Sequence, residues 1–166
     1  HDVVVDVDHR AAWASGTLFA VNAVSLSDQR ATRRGTLDAR VAKAAEIASG
    51  DEPCIVWCEL NDESTALVNV IPGAVEVKGS DDSDDKAEKL AAFSRGDVRV
   101  IVTKPSIAGF GLNWQHCARM VFVGASHSYE QTYQAIRRCW RFGQTRAVDV
   151  HVIRAEHVAK IWLKSL

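Results

Sequence analysis

The chain has 166 residues, of which 47% are hydrophobic and 25% are charged, and its net charge is −1. That length suits one α/β domain with its own core and is too short for two, and the composition excludes a disordered chain. The near-neutral charge excludes an overall basic field, so any contact with nucleic acid must be local. No apolar run can span a bilayer and no signal-peptide pattern is present, which predicts a cytoplasmic protein without a membrane partner.

The first residues give few structural signals. The chain begins at His1 and its only methionine is Met120, and we interpret it as a piece of a longer protein. Residues 1–9 alternate apolar and acidic side chains, which predicts a short strand or a leading segment.

A first helix is predicted over residues 28–49, with a break near Gly35 and a stop at Gly50. We therefore divide the chain at that break. Residues 1–35 form a leading segment with the first helix, and residues 36–166 form the main part of what is a single domain overall.

Apolar, strand-like runs then alternate with helical segments. Strands are predicted at 54–58, 74–78, 98–103, 120–124 and 148–153. Helices are predicted at 62–71, 81–95, 128–141 and 156–166. Such alternation predicts an α/β fold of three layers, with a mainly parallel central sheet and helices on both of its faces.

The cysteines and the acidic run at residues 81–85 could suggest metal sites. The four cysteines form no C-x-x-C pair, and we interpret them as reduced side chains that pack as small hydrophobes. The acidic run lacks the glycine and the terminal glutamate of a calcium loop, and it is better explained as a solvated helix start. We predict no metal ligand in this chain.

The segment that carries most functional information lies near the end of the chain. Four arginines follow one another here without an acidic residue from position 131 to position 146, namely Arg137, Arg138, Arg141 and Arg146. A guanidinium group keeps its charge and presents a fork of N–H donors that matches phosphate oxygens. We therefore favour anion binding over a solvated basic face.

Helical spacing divides this segment into two faces. Gln134, Arg138 and Arg141 are predicted to share a polar face at the end of the helix. The opposite, apolar face is predicted to pack on the sheet, and it contains Tyr129, Tyr133, Ile136 and Trp140.

A loop with two glycines follows the strand predicted at 98–103. Gly109 and Gly111 would allow backbone N–H groups to approach a ligand closely, and Asn113 adds a polar side chain. On its own a G-x-G pattern is equally well explained as a turn.

These two stretches together resemble motifs V and VI of superfamily 2 helicases and translocases, and the Swi/Snf-type branch most closely. Motif V resembles a glycine-glycine-x-glycine-x-asparagine loop, which is A-G-F-G-L-N at 108–113. Motif VI resembles Q-x-x-G-R-x-x-R-x-G-Q, which is Q-A-I-R-R-C-W-R-F-G-Q at 134–144. The strand at 54–58 is similar to motif IV, and the resemblance covers residues 36–158.

The sequence departs from that pattern at three positions. Arg137 and Ala108 replace glycines of motifs VI and V, and Trp140 replaces a histidine. Both key arginines remain. The departures favour a bacterial or phage-related protein over a eukaryotic chromatin remodeller.

The resemblance implies the C-terminal RecA-like domain of a two-domain motor that acts on DNA. ATP and Mg²⁺ would be bound mainly by the N-terminal RecA-like domain of the same protein, since this chain contains no G-x-x-x-x-G-K-[ST] loop. The isolated domain is therefore predicted to be inactive as an ATPase.

The resemblance also implies roles for particular side chains. Arg141 is expected to be the arginine finger, with Arg138 beside it on the γ-phosphate. The residues expected to bind nucleotide are Gln134, Gly109, Gly111 and Asn113. The residues expected to contact DNA backbone phosphates are Lys104 and Ser106.

Two other functions remain open on the residues alone. A non-enzymatic nucleic-acid-binding α/β module would use the arginines on backbone phosphates. A Rossmann-type metabolite binder would need its glycine loop after the first strand, whereas the loop here comes late. Asp62 and Glu63 could suggest a Walker B carboxylate pair, but we favour a helix N-terminus because three residues separate them from the strand.

Overall fold

The computed structural model describes residues 1–5, 34–108, 112–124 and 128–155, and the strands found there form one all-parallel sheet. The strands are β1 (Asp2–Val5), β2 (Cys54–Trp57), β3 (Ala74–Glu76), β4 (Val100–Thr103), β5 (Arg119–Phe122) and β6 (Asp149–Ala155). The helices are α1 (Leu37–Ile47), α2 (Asn61–Val70), α3 (Ser83–Arg95) and α4 (Tyr129–Ile136). Their order across the sheet is β1-β6-β5-β2-β4-β3.

The central strands are buried on both faces. Every residue of β2 and β4 is buried, because helices cover the sheet on both sides. Cys54 and Val56 of β2 point into a core under α1 and α2, while Ile55 and Trp57 point into a second core with Phe93 of α3. The predicted fold class, three α/β layers around a mainly parallel sheet, is therefore confirmed.

The predicted strands agree with the structure to within two residues at most boundaries. The predicted short strand in residues 1–9 is β1, which pairs in parallel with β6 at one edge of the sheet. The part of the first helix before residue 34 and the final helix at 156–166 lie outside the described residues. The division of the chain at residue 35 stays a prediction.

The helix ends follow local chemistry. α3 begins where the Asp82 carboxylate accepts a hydrogen bond from the N–H of Asp84, and it ends at Gly96, whose φ of 86° requires the left-handed region. α2 begins at Asn61, and the Glu63 carboxylate accepts hydrogen bonds from the backbone N–H groups of Glu59 and Leu60. The interpretation of Glu63 as part of a helix N-terminus is confirmed.

Glu63 also belongs to a buried ion pair that the sequence analysis did not identify. Its other oxygen lies 2.7 Å from Nη1 of Arg40 on α1, and the two side chains are 0% and 2% exposed. The same Arg40 atom donates to the carbonyl of Val123, 2.8 Å away, just after β5. This pair therefore joins α1, the start of α2 and the end of β5.

The cysteines behave as small hydrophobic residues. All four are buried and free. Burial raises the pKa of Cys54 and of Cys58 to about 12, so both are neutral thiols near neutral pH.

Within the described part of the chain, no helix combines the length and apolarity needed to cross a bilayer.

Candidate functional site

The arginine-rich segment begins as a helix and continues as a series of tight turns. Ser128 caps the start of α4, because its hydroxyl accepts a hydrogen bond from the N–H of Gln131. The helix ends at Ile136, however, and not at residue 141. We call residues 137–146 the arginine turn.

The hydrogen bonds after Ile136 leave the α-helical pattern, since the N–H groups of Arg138 and Cys139 donate to the carbonyls three residues earlier, those of Ala135 and Ile136. The carbonyl of Arg138 accepts a hydrogen bond from the N–H of Trp114, 2.9 Å away. The carbonyl of Cys139 accepts one from the side-chain amide of Gln144. The predicted helical face shared by Gln134, Arg138 and Arg141 is therefore wrong, because the two arginines lie beyond the helix.

The predicted apolar face of this helix is also wrong, because most of the side chains expected to pack on the sheet are exposed. Tyr129 is 84% exposed and Tyr133 is 42% exposed, and their rings stack on each other at 6.3 Å. Trp140 is 55% exposed. The buried apolar side chains of the segment are those of Ala135 and Cys139, which pack into the second core.

Arg138 and Arg141 have different environments. Arg138 is buried, with 6% of its surface exposed, and its Nε has no hydrogen-bond partner among the described residues. Burial, with a smaller contribution from the nearby charge of Arg141, lowers the pKa of Arg138. Arg141 is exposed, and its Nη1 donates to the carbonyl of Leu112 at 3.2 Å. Two cations therefore lie near each other at the end of this segment.

The other two arginines of the arginine turn, Arg137 and Arg146, make contacts that give them structural roles. Arg146 forms an ion pair with Glu52 at 3.3 Å and also donates to the carbonyl of His116. Arg137 stacks over the ring of Trp140, 5.3 Å from its centroid. Among the described residues no carboxylate forms an ion pair with Arg138 or Arg141. These two are the cations of the turn that remain suited to an external anion.

The loop between β4 and β5, residues 104–118, connects the carboxyl end of β4 to the amino end of β5, because both strands are parallel to β2. Its first turn is closed by a hydrogen bond from the N–H of Ile107 to the carbonyl of Lys104. Gly109 and Gly111 lie outside the described residues.

The first half of the β4–β5 loop lines an open pocket of about 510 Å³. Nζ of Lys104 donates to Oδ1 of Asn61 at 2.7 Å, and Ser106 is exposed at the pocket rim. Lys78, Gly79 and Ser80, which follow β3, complete the lining together with Ile107. The structure thus places the two predicted DNA-contacting residues together at the carboxyl edge of the sheet.

The second half of the loop packs against the arginine turn. Trp114 is fully buried, its ring meets Phe93 edge-on at 5.1 Å, and its Nε1 donates to Ser94. Asn113 is exposed and lies one residue from the carbonyl that Arg141 binds. Of the predicted nucleotide-binding residues, Asn113 is therefore close to the arginines, and Gln134 is half-buried on α4.

Two glutamines that were given no role in the sequence analysis hold these segments together. Gln144 donates to the carbonyls of Gln115 and Cys139, at 2.8 and 3.2 Å. Gln115 donates to the carbonyl of Phe142 at 2.6 Å. Gln144 is the last residue of the stretch that resembles motif VI, but nothing in the sequence identified its partners, which lie up to 29 residues away.

The fold is shared with domains of known helicases and ATPases. The C-terminal part of the Fun30 ATPase domain has a TM-score of 0.56 and 18% identity, over 63% of this chain and 36% of that one. The C-terminal domain of the DEAD-box protein Dbp5 has a TM-score of 0.60 and 12% identity, over 74% of each chain. The RNA helicase Prp28 from Chaetomium thermophilum, bound to ADP, has a TM-score of 0.61 and 19% identity, over 78% of this chain and 33% of that one.

At these identities the structural likenesses define the class of fold, a RecA-like α/β domain. The sequence profile of the family described as Helicase conserved C-terminal domain matches residues 40–143. That is more than half of the chain, and the chain belongs to this family. No curated protein sequence matches it at a significant level. The chain spans about a third of the length of the Fun30 and Prp28 structures.

Proposed function

We propose that this helicase C-terminal domain is the second motor domain of an ATP-dependent DNA helicase or translocase. It would supply Arg141 as the arginine finger and Arg138 as a second cation to ATP. The ATP and its Mg²⁺ would be held mainly by an N-terminal RecA-like domain of the same protein. The likeness of its motifs V and VI to the Swi/Snf-type branch supports that branch, in a bacterial or phage-related protein in the cytoplasm.

The observation that supports this proposal best is the charge at the arginine turn. Arg138 is buried without a carboxylate partner among the described residues, and burial lowers its pKa. Arg141 adds a second positive charge beside it. An anion with several oxygens would relieve this repulsion, and the γ-phosphate of ATP has both the charge and the acceptor geometry.

A second group of residues supports the nucleic-acid part of the proposal. Lys78 and Lys104 line the pocket at the carboxyl edge of the sheet, together with Asn61 and Ser106. Ammonium, amide and hydroxyl groups of this kind bind backbone phosphates without reading the base sequence. The pocket lies at the opposite end of the β4–β5 loop from the arginine turn, so one chain segment would connect the DNA and ATP sites.

The proposed mechanism uses these residues in sequence. When the two RecA-like domains close, Arg141 would leave the carbonyl of Leu112 and reach the γ-phosphate, where it stabilises the charge that develops during phosphoryl transfer. After hydrolysis the cleft would open again, and alternating closure would move the protein along DNA. Gln134 and the loop around Asn113 would contact the nucleotide, so that its state reaches the pocket around Lys104.

The DNA part of the proposal is tested by Lys104→Ala in the full-length protein. We expect the DNA concentration for half-maximal ATPase stimulation to rise about three- to tenfold, because one phosphate contact is lost. The ATPase rate without DNA should not change. Steady-state ATPase assays at several DNA concentrations measure both quantities.

The matched control is Lys43→Ala, which removes a lysine that pairs with Glu46 on α1, away from the pocket. An unchanged DNA dependence in Lys104→Ala would contradict a DNA site at this pocket. Tight DNA binding by this chain alone, without ATP, would instead support the alternative of a non-enzymatic nucleic-acid-binding module.

A further inference from the structure

The second half of the β4–β5 loop and the arginine turn are joined at several points on either side of Arg141. Before Arg141, the carbonyls of Arg138 and Cys139 accept hydrogen bonds from Trp114 N–H and from the Gln144 amide. After it, the carbonyl of Phe142 accepts one from Gln115. Arg141 is therefore carried on a piece of backbone that is held from both sides.

Gln144 occupies the centre of this arrangement. Its Nε2 donates to one carbonyl in the loop, that of Gln115, and to one in the turn, that of Cys139. Its Oε1 accepts from the N–H of Arg146 at 3.1 Å. All three contacts are to backbone atoms, so the side chain fixes the distance between two chain segments and does not merely orient another side chain.

Gln115 strengthens the link in the reverse direction. It lies in the loop, and its amide binds the turn, whereas Gln144 lies in the turn, and its amide binds the loop. The Oε1 of Gln115 also lies 3.4 Å from Nδ2 of Asn113. A displacement of the loop must therefore either move the turn with it or break hydrogen bonds at both glutamines.

We propose that Gln144 and Gln115 are positioning residues that couple the DNA pocket to the arginine finger, since they make residues 112–117 of the β4–β5 loop and the arginine turn move together. This inference rests on the proposed function. DNA bound around Lys104 would shift the start of the loop, and the glutamine amides would transmit that shift to Arg141. Neither glutamine contacts ATP or DNA in this scheme.

The substitution Gln144→Glu tests the coupling role of Gln144 separately from the hydrogen bond that it accepts from the N–H of Arg146. The substitution keeps the size of the side chain and one oxygen for the N–H of Arg146. It replaces the N–H₂ group by an oxygen that faces the carbonyls of Gln115 and Cys139, so both donated bonds are lost and replaced by repulsion. The control is Gln131→Glu, which introduces the same charge at an exposed position in the first turn of α4.

In the full-length protein, Gln144→Glu is expected to reduce the stimulation of the ATPase by DNA about tenfold, a typical coupling between two sites. The unstimulated rate and the KM for ATP should match those of Gln131→Glu. Amide hydrogen exchange should become faster in residues 112–116 and 138–146 together, and not in β2 or β4.

The inference is overturned if stimulation by DNA is unchanged, or if the stimulated and unstimulated rates fall by the same factor. Should Gln144→Glu not fold, Gln115→Asn provides the same test, because its shorter side chain cannot reach the carbonyl of Phe142. Arg141→Ala measured in parallel separates the two proposals. Normal ATP hydrolysis in Arg141→Ala refutes the proposed function. If Arg141→Ala loses ATP hydrolysis while DNA stimulates the ATPase of Gln144→Glu normally, only the role of the glutamines is refuted.

Discussion

Replacing Arg141 by alanine is expected to reduce DNA-stimulated ATP hydrolysis by the full-length protein by about 10³–10⁵-fold, the range typical of arginine fingers. The reason is that the guanidinium stabilises charge that develops only in the transition state, so the loss should fall on kcat and not on KM for ATP. Steady-state ATPase assays with saturating DNA measure both constants.

The fold should not be affected by this substitution. Arg141 is exposed, and the contact it loses is the hydrogen bond to the carbonyl of Leu112. A change of at most about 1 kcal/mol in the free energy of unfolding is expected for such a bond. Arg137→Ala is the matched control, because Arg137 lies in the same turn but stacks on Trp140. Equal loss in both variants would argue for a structural effect, and normal turnover in Arg141→Ala would contradict the assignment.

The second large effect is expected at the buried ion pair of the first core. Glu63→Ala should lower the free energy of unfolding by about 3–5 kcal/mol, because it removes the carboxylate that lies 2.7 Å from the buried guanidinium of Arg40. The substitution also removes the acceptor for the N–H groups of Glu59 and Leu60. Since a domain of this size has roughly 5–15 kcal/mol of stability in total, the variant should be close to unfolding.

Urea denaturation followed by far-UV circular dichroism measures this difference. Glu88→Ala is the control, because Glu88 pairs with Arg95 at 2.7 Å on the surface and both side chains are largely exposed. That pair should contribute less than about 1 kcal/mol. Similar losses in the two variants would show that the buried pair does not anchor α1 to α2 and β5.

Much of the fold could be predicted from the sequence, because the signals for strands in a parallel sheet are local. The apolar runs at β2, β4 and β5 are short and bounded by polar or turn residues, and each lies where a strand is observed. The limits of α3 could be predicted from local sequence in the same way, from the acidic residues at its start and the glycine at its end. The sheet order then follows from connections that no single segment specifies.

The limits of the arginine helix could not be predicted in this way. Helical spacing continues to residue 141 in the sequence, but the N–H groups of Arg138 and Cys139 donate to carbonyls three residues earlier, and the turn that follows is bound by Trp114 and by the Gln144–Gln115 contact. Contacts with a distant loop leave no trace in the period of the apolar residues.

The sequence indicated candidate side chains for the site, but it did not indicate their geometry. The motif resemblance singled out both arginines, yet only the structure shows that Arg138 is buried while Arg141 is exposed. The sequence assigned no role to Arg146, and its ion pair with Glu52 now gives it a structural one. Coupling through Gln115 and Gln144 depends on backbone carbonyls, which sequence patterns do not identify.

The most direct test of the central claim is a structure of the full-length protein with Mg²⁺, ADP and aluminium fluoride, which imitates the γ-phosphoryl group during transfer. We expect the guanidinium of Arg141 within about 3 Å of the fluoride ligands, with Arg138 on the same side. Arg141 should have left the carbonyl of Leu112. An Arg141 side chain that stays on that carbonyl, or that contacts a DNA phosphate while the fluoride group is bound by other residues, would contradict the assignment.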